Sequence, residues 1–200
     1  MRPRGVPFSN RATSIELPIT RVKQINLCGC GLAALEMVLR YHGADVGQLD
    51  FLTADKRLRR RVQRKDPRGL SESTVGILAL KRGFAVTLYG RRLRVSKTFL
   101  KLGGKVNLRR TSKRLILRLL NEGIPPIVKI PSARKAYQSP AERIPHYVVV
   151  KGVDQEGNLQ TADPWYDTSI PRSYWEGWSS TIISVEGEHP RAHVDAHGEA

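Results

Sequence analysis

A run of helix formers followed by runs of β-branched residues predicts an α+β fold. Three observations carry the prediction. Residues 30–43 (CGLAALEMVLRYHG) hold strong helix formers throughout, no proline, and a glycine at the stop position. Residues 146–153 (HYVVVKGV) are a β-branched run of the kind that makes a central strand, and 125–130 and 181–185 are shorter runs of the same character. Helical patterns fill the first half of the chain and strand patterns the second, which is an α+β layout with an antiparallel sheet in the C-terminal half. A chain of 200 residues supports one substantial core.

The elements follow in order. Residues 1–23 contain one short apolar alternation, Ile15 to Ile19, and read as an arm or an edge strand. The helix at 30–43 is apolar nearly all round, so it is expected to be buried and central. Residues 47–65 read as one or two basic helices. Ser71 caps a helix over 71–82 that closes at Gly83, and 84–89 is strand-like. A short helix is expected at 96–102. Thr111 and Ser112 cap a helix with Leu115, Ile116, Leu119 and Leu120 on its apolar face, ending at Gly123. Beyond it come the strand at 125–130, the strand at 146–153, a turn at 154–158 (DQEGN), and a partner strand at 159–162. Residues 170–178 read as an aromatic-rich helix or loop, with Trp175 and Trp178, like Trp165, as core or groove wall. The tail from Glu186 holds His189, His193 and His197 without an apolar pattern and is expected to be disordered.

Composition excludes several classes. No apolar run approaches the roughly 18 residues of a membrane-spanning helix, and the N-terminus has no apolar segment of a secretory signal. A cytoplasmic location is therefore expected. Two cysteines, Cys28 and Cys30, are too few for a disulfide framework. The net charge of +16 is concentrated: residues 56–118 hold 21 Lys and Arg against the two acids Asp66 and Glu72. Such a block attracts anionic partners. It lacks interleaved aromatics and any nucleic-acid-binding motif, so it is read as a surface property, with at most weak, non-specific binding of an anionic partner through 56–118.

The residues that suggest chemistry sit where the two halves join. Cys30 opens the buried helix, where free backbone N–H groups and the helix dipole favour a thiolate. His146 begins the central strand, in a position to act as base. Asp163 follows the paired strand and could hold the imidazole in one tautomer. Gln24, six residues before Cys30, could offer its amide to an oxyanion alongside the Cys30 backbone N–H. Cys28 reads as an apolar filler, and otherwise as a redox partner of Cys30 or half of a Cys-X-Cys metal site. Asp154 reads as a turn acid and His42 as a helix-end residue.

The stretch from Gln24 to Gly43 (QINLCGCGLAALEMVLRYHG) resembles the nucleophile motif of the double-glycine, or bacteriocin-processing, peptidases, which are papain-like cysteine proteases. That motif is a Gln, six residues to Cys-Gly, and a small-residue helix ending in Met-hydrophobic-Leu-basic-Tyr-aromatic-Gly. Residues 146–164 (HYVVVKGVDQEGNLQTADP) look like the family's His strand, acidic Gly turn and Asp-Pro. The resemblance covers roughly 20–185. It implies a papain-like fold with a buried nucleophile helix, and it selects Cys30 over Cys28 as nucleophile. Cys28 itself departs from the family pattern, which has an acidic or polar residue there. In the best-known members the peptidase is fused to an ABC exporter and cleaves a leader peptide after Gly-Gly. Here no membrane domain and no GxxxxGK[ST] motif occur, so a stand-alone form is implied.

The expectation is thus an N-terminal arm at 1–19, a papain-like peptidase domain at 20–186 and a tail at 187–200. The expected activity is a cysteine peptidase that cleaves a peptide, of leader type by resemblance, through a thioester. Its catalytic residues are Cys30, His146, Asp163 and Gln24, and no metal or cofactor takes part. The alternatives are another acyl transferase or amidase on the same scaffold, and a non-catalytic basic binding module.

Overall fold

The computed structural model describes residues 14–26, 28–63, 69–130, 145–165 and 181–187. The expectations for 170–178, for Trp175 and Trp178 and for the tail histidines lie outside these residues. Helix α1 (Cys30–Tyr41) is buried from Cys30 through Leu39, as its all-round apolar character predicts. It stops by a Schellman motif: Ala44 N–H donates to Leu39 O and Gly43 N–H to Arg40 O, with Gly43 at φ +84°. A side chain at Gly43 would be strained in that conformation. Truncating a fully buried α1 residue such as Leu35 costs about 2–5 kcal/mol.

Residues 47–65 form two helices, α2 (Gln48–Ala54) and α3 (Lys56–Gln63). Asp55 separates them, its Oδ1 accepting from the N–H groups of Arg57 and Leu58. Leu58 and Val62 anchor α3, and Arg59 and Arg60 are exposed. Helices α4 (Glu72–Leu80), α5 (Lys97–Lys101) and α6 (Lys113–Asn121) each begin at a serine whose hydroxyl accepts a backbone N–H: Ser71, Ser96 and Ser112. Among the described residues no helix is long and apolar enough to cross a membrane.

One sheet of seven strands forms the middle layer: β1 (Ile15–Glu16), β2 (Ala85–Tyr89), β3 (Lys105–Asn107), β4 (Ile127–Ile130), β5 (His146–Val153), β6 (Leu159–Ala162) and β7 (Thr181–Glu186). The order runs β5-β4-β7-β2-β3, with β1 and β6 both on β5. All neighbours are antiparallel except β2 and β3, which α5 joins as a parallel pair. Strand β3 is too short and polar to be legible in the sequence. It is held in place by fully buried Phe99, against whose ring a Cβ at Gly76 or Gly104 would collide. Gly152 has a similar reason: β1 crosses so closely that a Cβ there would run into Ile15 O.

Alternation along the strands builds two cores. Val86, Leu88, Ile127, Tyr147, Val149, Ile183 and Val185 pack with α1 and α4. Tyr89, Val128, Val148, Val150 and Ile182 pack on the opposite face with Ile116, Leu119 and Leu120 of α6. The register also fixes which strand ends coincide. His146 pairs with Ile130, Lys129 with Thr181, Ile182 with Tyr89, and Tyr89 with Asn107. All of them lie at one end of the sheet, and the N-terminus of α1 comes to that same end.

Candidate active site

Cys30 is the first residue of α1, and the preceding cap residue, Gly29, offers no side chain to the helix N-terminus. Gly31 is needed because this turn packs directly on the sheet: a Cβ there would stand 3.1 Å from Val75 Cγ2 and 3.3 Å from Tyr147 Cδ2. Tyr147 is itself pinned by donating its hydroxyl to Leu70 O at 3.0 Å. Its neighbour in β5 is His146, so the strand that supports α1 also carries the imidazole to the Cys30 sulfur.

His146 Nε2 lies 2.8 Å from Asp163 Oδ1. The Cys30 side chain lies close enough to the same ring to be among the groups that act on its pKa. Burial alone would push this imidazole down. The hydrogen bonds to Asp163 and Cys30, and the attraction of both, outweigh burial and raise it from 6.5 to about 9. Asp163 is fully buried. Its Oδ1 also accepts Trp165 N–H at 2.7 Å, and its carbonyl accepts Arg21 Nε at 2.6 Å. The three groups expected from the sequence are therefore brought into one line, Cys30–His146–Asp163, although they come from a helix start, a strand start and a strand end.

Gln24 joins them through the backbone: its N–H donates to Pro164 O at 3.2 Å, directly beside Asp163. Its Nε2 donates to Asn26 O at 2.6 Å, and its buried Oε1 has no partner among the described residues. Asn26 shapes the turn leading to Cys30, accepting Cys28 N–H on Oδ1 and Gly29 N–H on its carbonyl. Both cysteines are buried and stand outside any disulfide. Trp165 is 45% exposed beside the site and is no core residue. His42 ends α1 as expected, its Nε2 2.9 Å from Val185 O. Asp154 is a turn acid whose carboxylate accepts from Asn158.

Sequence reasoning missed a buried polar clamp behind Gln24. Glu36, inside α1, has Oε1 on Arg40 at 2.8 Å and Oε2 on Gln48, accepting both its backbone N–H (3.0 Å) and its Nε2 (3.2 Å). Gln48 in turn donates Nε2 to Lys23 O at 3.0 Å and accepts Ile25 N–H at 3.1 Å. It thus grips the residues on both sides of Gln24. The signal that could have revealed the clamp is a lone carboxylate within an otherwise apolar helix, which must find partners when buried.

The model of the Peptidase_C39 like family matches residues 16–181. No curated protein matches. Among solved structures, the peptidase domain of Streptococcus ComA, a bi-functional ABC transporter involved in a quorum sensing pathway, is similar with a TM-score of 0.54 at 18% identity, over 85% of this chain and 99% of that one. A structure from Bacillus anthracis described as a C39-like peptidase is similar with a TM-score of 0.55 at 16% identity, over 86% of this chain and 98% of that one. At these identities the two structures speak for the fold, and it is the match across 16–181 that decides the family: the chain belongs to the peptidase C39-like family and is a cysteine-type peptidase.

Proposed function

We propose that Cys30, His146 and Asp163 form a catalytic triad that hydrolyses peptide bonds through a thioester, with Gln24 and the Cys30 N–H stabilising the oxyanion. The observation that carries this reading is the His146 ring, bonded to buried Asp163 at 2.8 Å and near enough to Cys30 for the thiol to act on its pKa. In the first step the Cys30 sulfur, its proton already held by the His146 imidazolium, attacks the carbonyl carbon of the scissile bond. The developing negative charge on the carbonyl oxygen is met by backbone N–H at the helix start and by the Gln24 amide. The imidazolium then gives its proton to the leaving amine as the C–N bond breaks, leaving the acyl group on Cys30. Water, deprotonated by His146, attacks the thioester, and the thiol and the new carboxylic acid are released. Asp163, which takes up no proton, holds the ring and balances the imidazolium charge.

The first peptide to try is a leader ending in Gly-Gly, the substrate the resemblance implies. The test is Cys30→Ala set beside Cys28→Ala, with mass spectrometry of cleaved peptide and of iodoacetamide adducts. Cys30→Ala is expected to be inactive and folded, and Cys28→Ala to keep most activity. A dead Cys28→Ala with an active Cys30→Ala would overturn the assignment.

A further inference from the structure

Part of the basic block does more than coat the surface. An open concavity of about 530 Å³ lies between the ends of β2 and β3 and the start of α6, lined by Tyr89, Asn107, Arg109, Arg110, Arg114 and Arg118 among others. Of the four guanidiniums, among the described residues only Arg118 has an acidic neighbour, Glu122, at 3.7 Å. Arg109, Arg110 and Arg114 have no side-chain hydrogen bond or ion pair among the described residues, and no acid occupies the first turn of α6. Lys113 and Arg114 instead sit at the positive end of that helix, where the dipole disfavours cations. Four like charges converging on one concavity, with that local preference broken as well, mark a place arranged for an anion from outside rather than for the fold's own stability.

Position says what kind of anion. Tyr89 and Asn107 end their strands at the same end of the sheet at which His146 begins β5. From β5 to β2 is three strand spacings, about 14 Å, and Cys30 lies with the core on the other face, so cavity and nucleophile are separated by about 25 Å around that end. An extended peptide covers this in roughly eight residues. We propose that the arginine cavity is a subsite for acidic side chains of the peptide substrate, about eight residues from the scissile bond. Guanidiniums suit the role because each can grip a carboxylate with two parallel N–H donors. The proposal rests on the peptidase reading of Cys30.

Binding and turnover are measured separately, so that the two readings can fail separately. Fluorescence anisotropy in a Cys30→Ala background uses labelled peptides carrying a run of glutamates, their glutamine counterparts, and an oligothymidylate, at physiological salt. Arg110→Gln/Arg114→Gln is expected to weaken the glutamate peptide about tenfold and leave the glutamine peptide unchanged. The matched pair Arg59→Gln/Arg60→Gln on α3, which removes equal charge, is expected to change it less than about twofold. With Cys30 restored, the cavity pair raises KM for a cleavable glutamate peptide by a similar factor at unchanged kcat. Equal losses from both pairs would reduce the cavity to bulk charge and overturn the proposal. So would weakened oligothymidylate binding with the peptide unaffected, which would make the cavity a nucleic-acid site. If the arginine dependence holds but no peptide is cleaved, the role of Cys30 falls and the cavity remains a site for acidic peptides but not a substrate subsite. If cleavage is normal and indifferent to Arg110 and Arg114, the reverse is true.

Discussion

Gln48 Nε2 donates to Glu36 Oε2 at 3.2 Å inside the protein, and this bond fastens the start of α2 to the middle of α1. The same Gln48 holds Lys23 O and Ile25 N–H, so the loop bearing Gln24 is registered against α1 by one side chain. Glu36 is the fixed point, since its other oxygen is taken by Arg40.

Gln48→Leu is expected to keep the fold but free the Gln24 loop. Small misplacements of a catalytic group cost up to about 100-fold in rate. The expected pattern is a fall in kcat, with iodoacetamide labelling of Cys30 unchanged. Glu36→Ala leaves buried donors unpaired and is expected to lower stability by about 1–3 kcal/mol in denaturant unfolding. A Gln48→Leu protein with full kcat would show that the clamp is structural only.

Gln24→Ala is expected to lower turnover by about 100- to 1000-fold, the usual loss for one oxyanion donor. Labelling of Cys30 should persist, because alkylation develops no oxyanion. Parallel loss of labelling and turnover would assign Gln24 to architecture.

The pH profile follows from His146, whose folded value of about 9 lies above its ordinary 6.5. In the proposed mechanism the imidazolium donates to the leaving amine, so kcat/KM is expected to fall as pH rises through about 9. Asp163→Asn removes the main group raising it and should shift that limb to lower pH. Stability has the same sign. A raised value means the folded state holds the proton more tightly, so the gain is complete below 6.5 and is lost as pH rises from there through about 9. Thermal midpoints measured across this window check it, and a midpoint that rises would contradict it.

Gly31→Ala places a methyl 3.1 Å from Val75 and 3.3 Å from Tyr147. Overpacking of this kind costs about 1–3 kcal/mol. Because the strain falls on the residue next to Cys30, activity should drop further than the unfolding midpoint implies.

Much of the architecture is written locally. The helix formers of 30–41 and the glycine at 43 specify α1 and its stop, and three serines start α4, α5 and α6. The β-branched run at 146–153 and its turn specify β5 and β6. The candidate nucleophile, base and orienter were legible too, because each sits at an element boundary that local signals define.

What only the tertiary structure decided depends on contacts between distant residues. Strand β3 exists because Phe99 and the glycines around it let β2 take a parallel neighbour, a pairing that no local pattern announces. The Glu36–Gln48 clamp needs α2 to fold back onto α1, and the raised imidazole of His146 needs Asp163 and Cys30 brought to one ring. The sequence by itself determined that the chain is strongly basic between 56 and 118. The sheet register alone decided that four of those arginines share the end of the molecule with Cys30, since a charge carries no direction until the backbone gives it one.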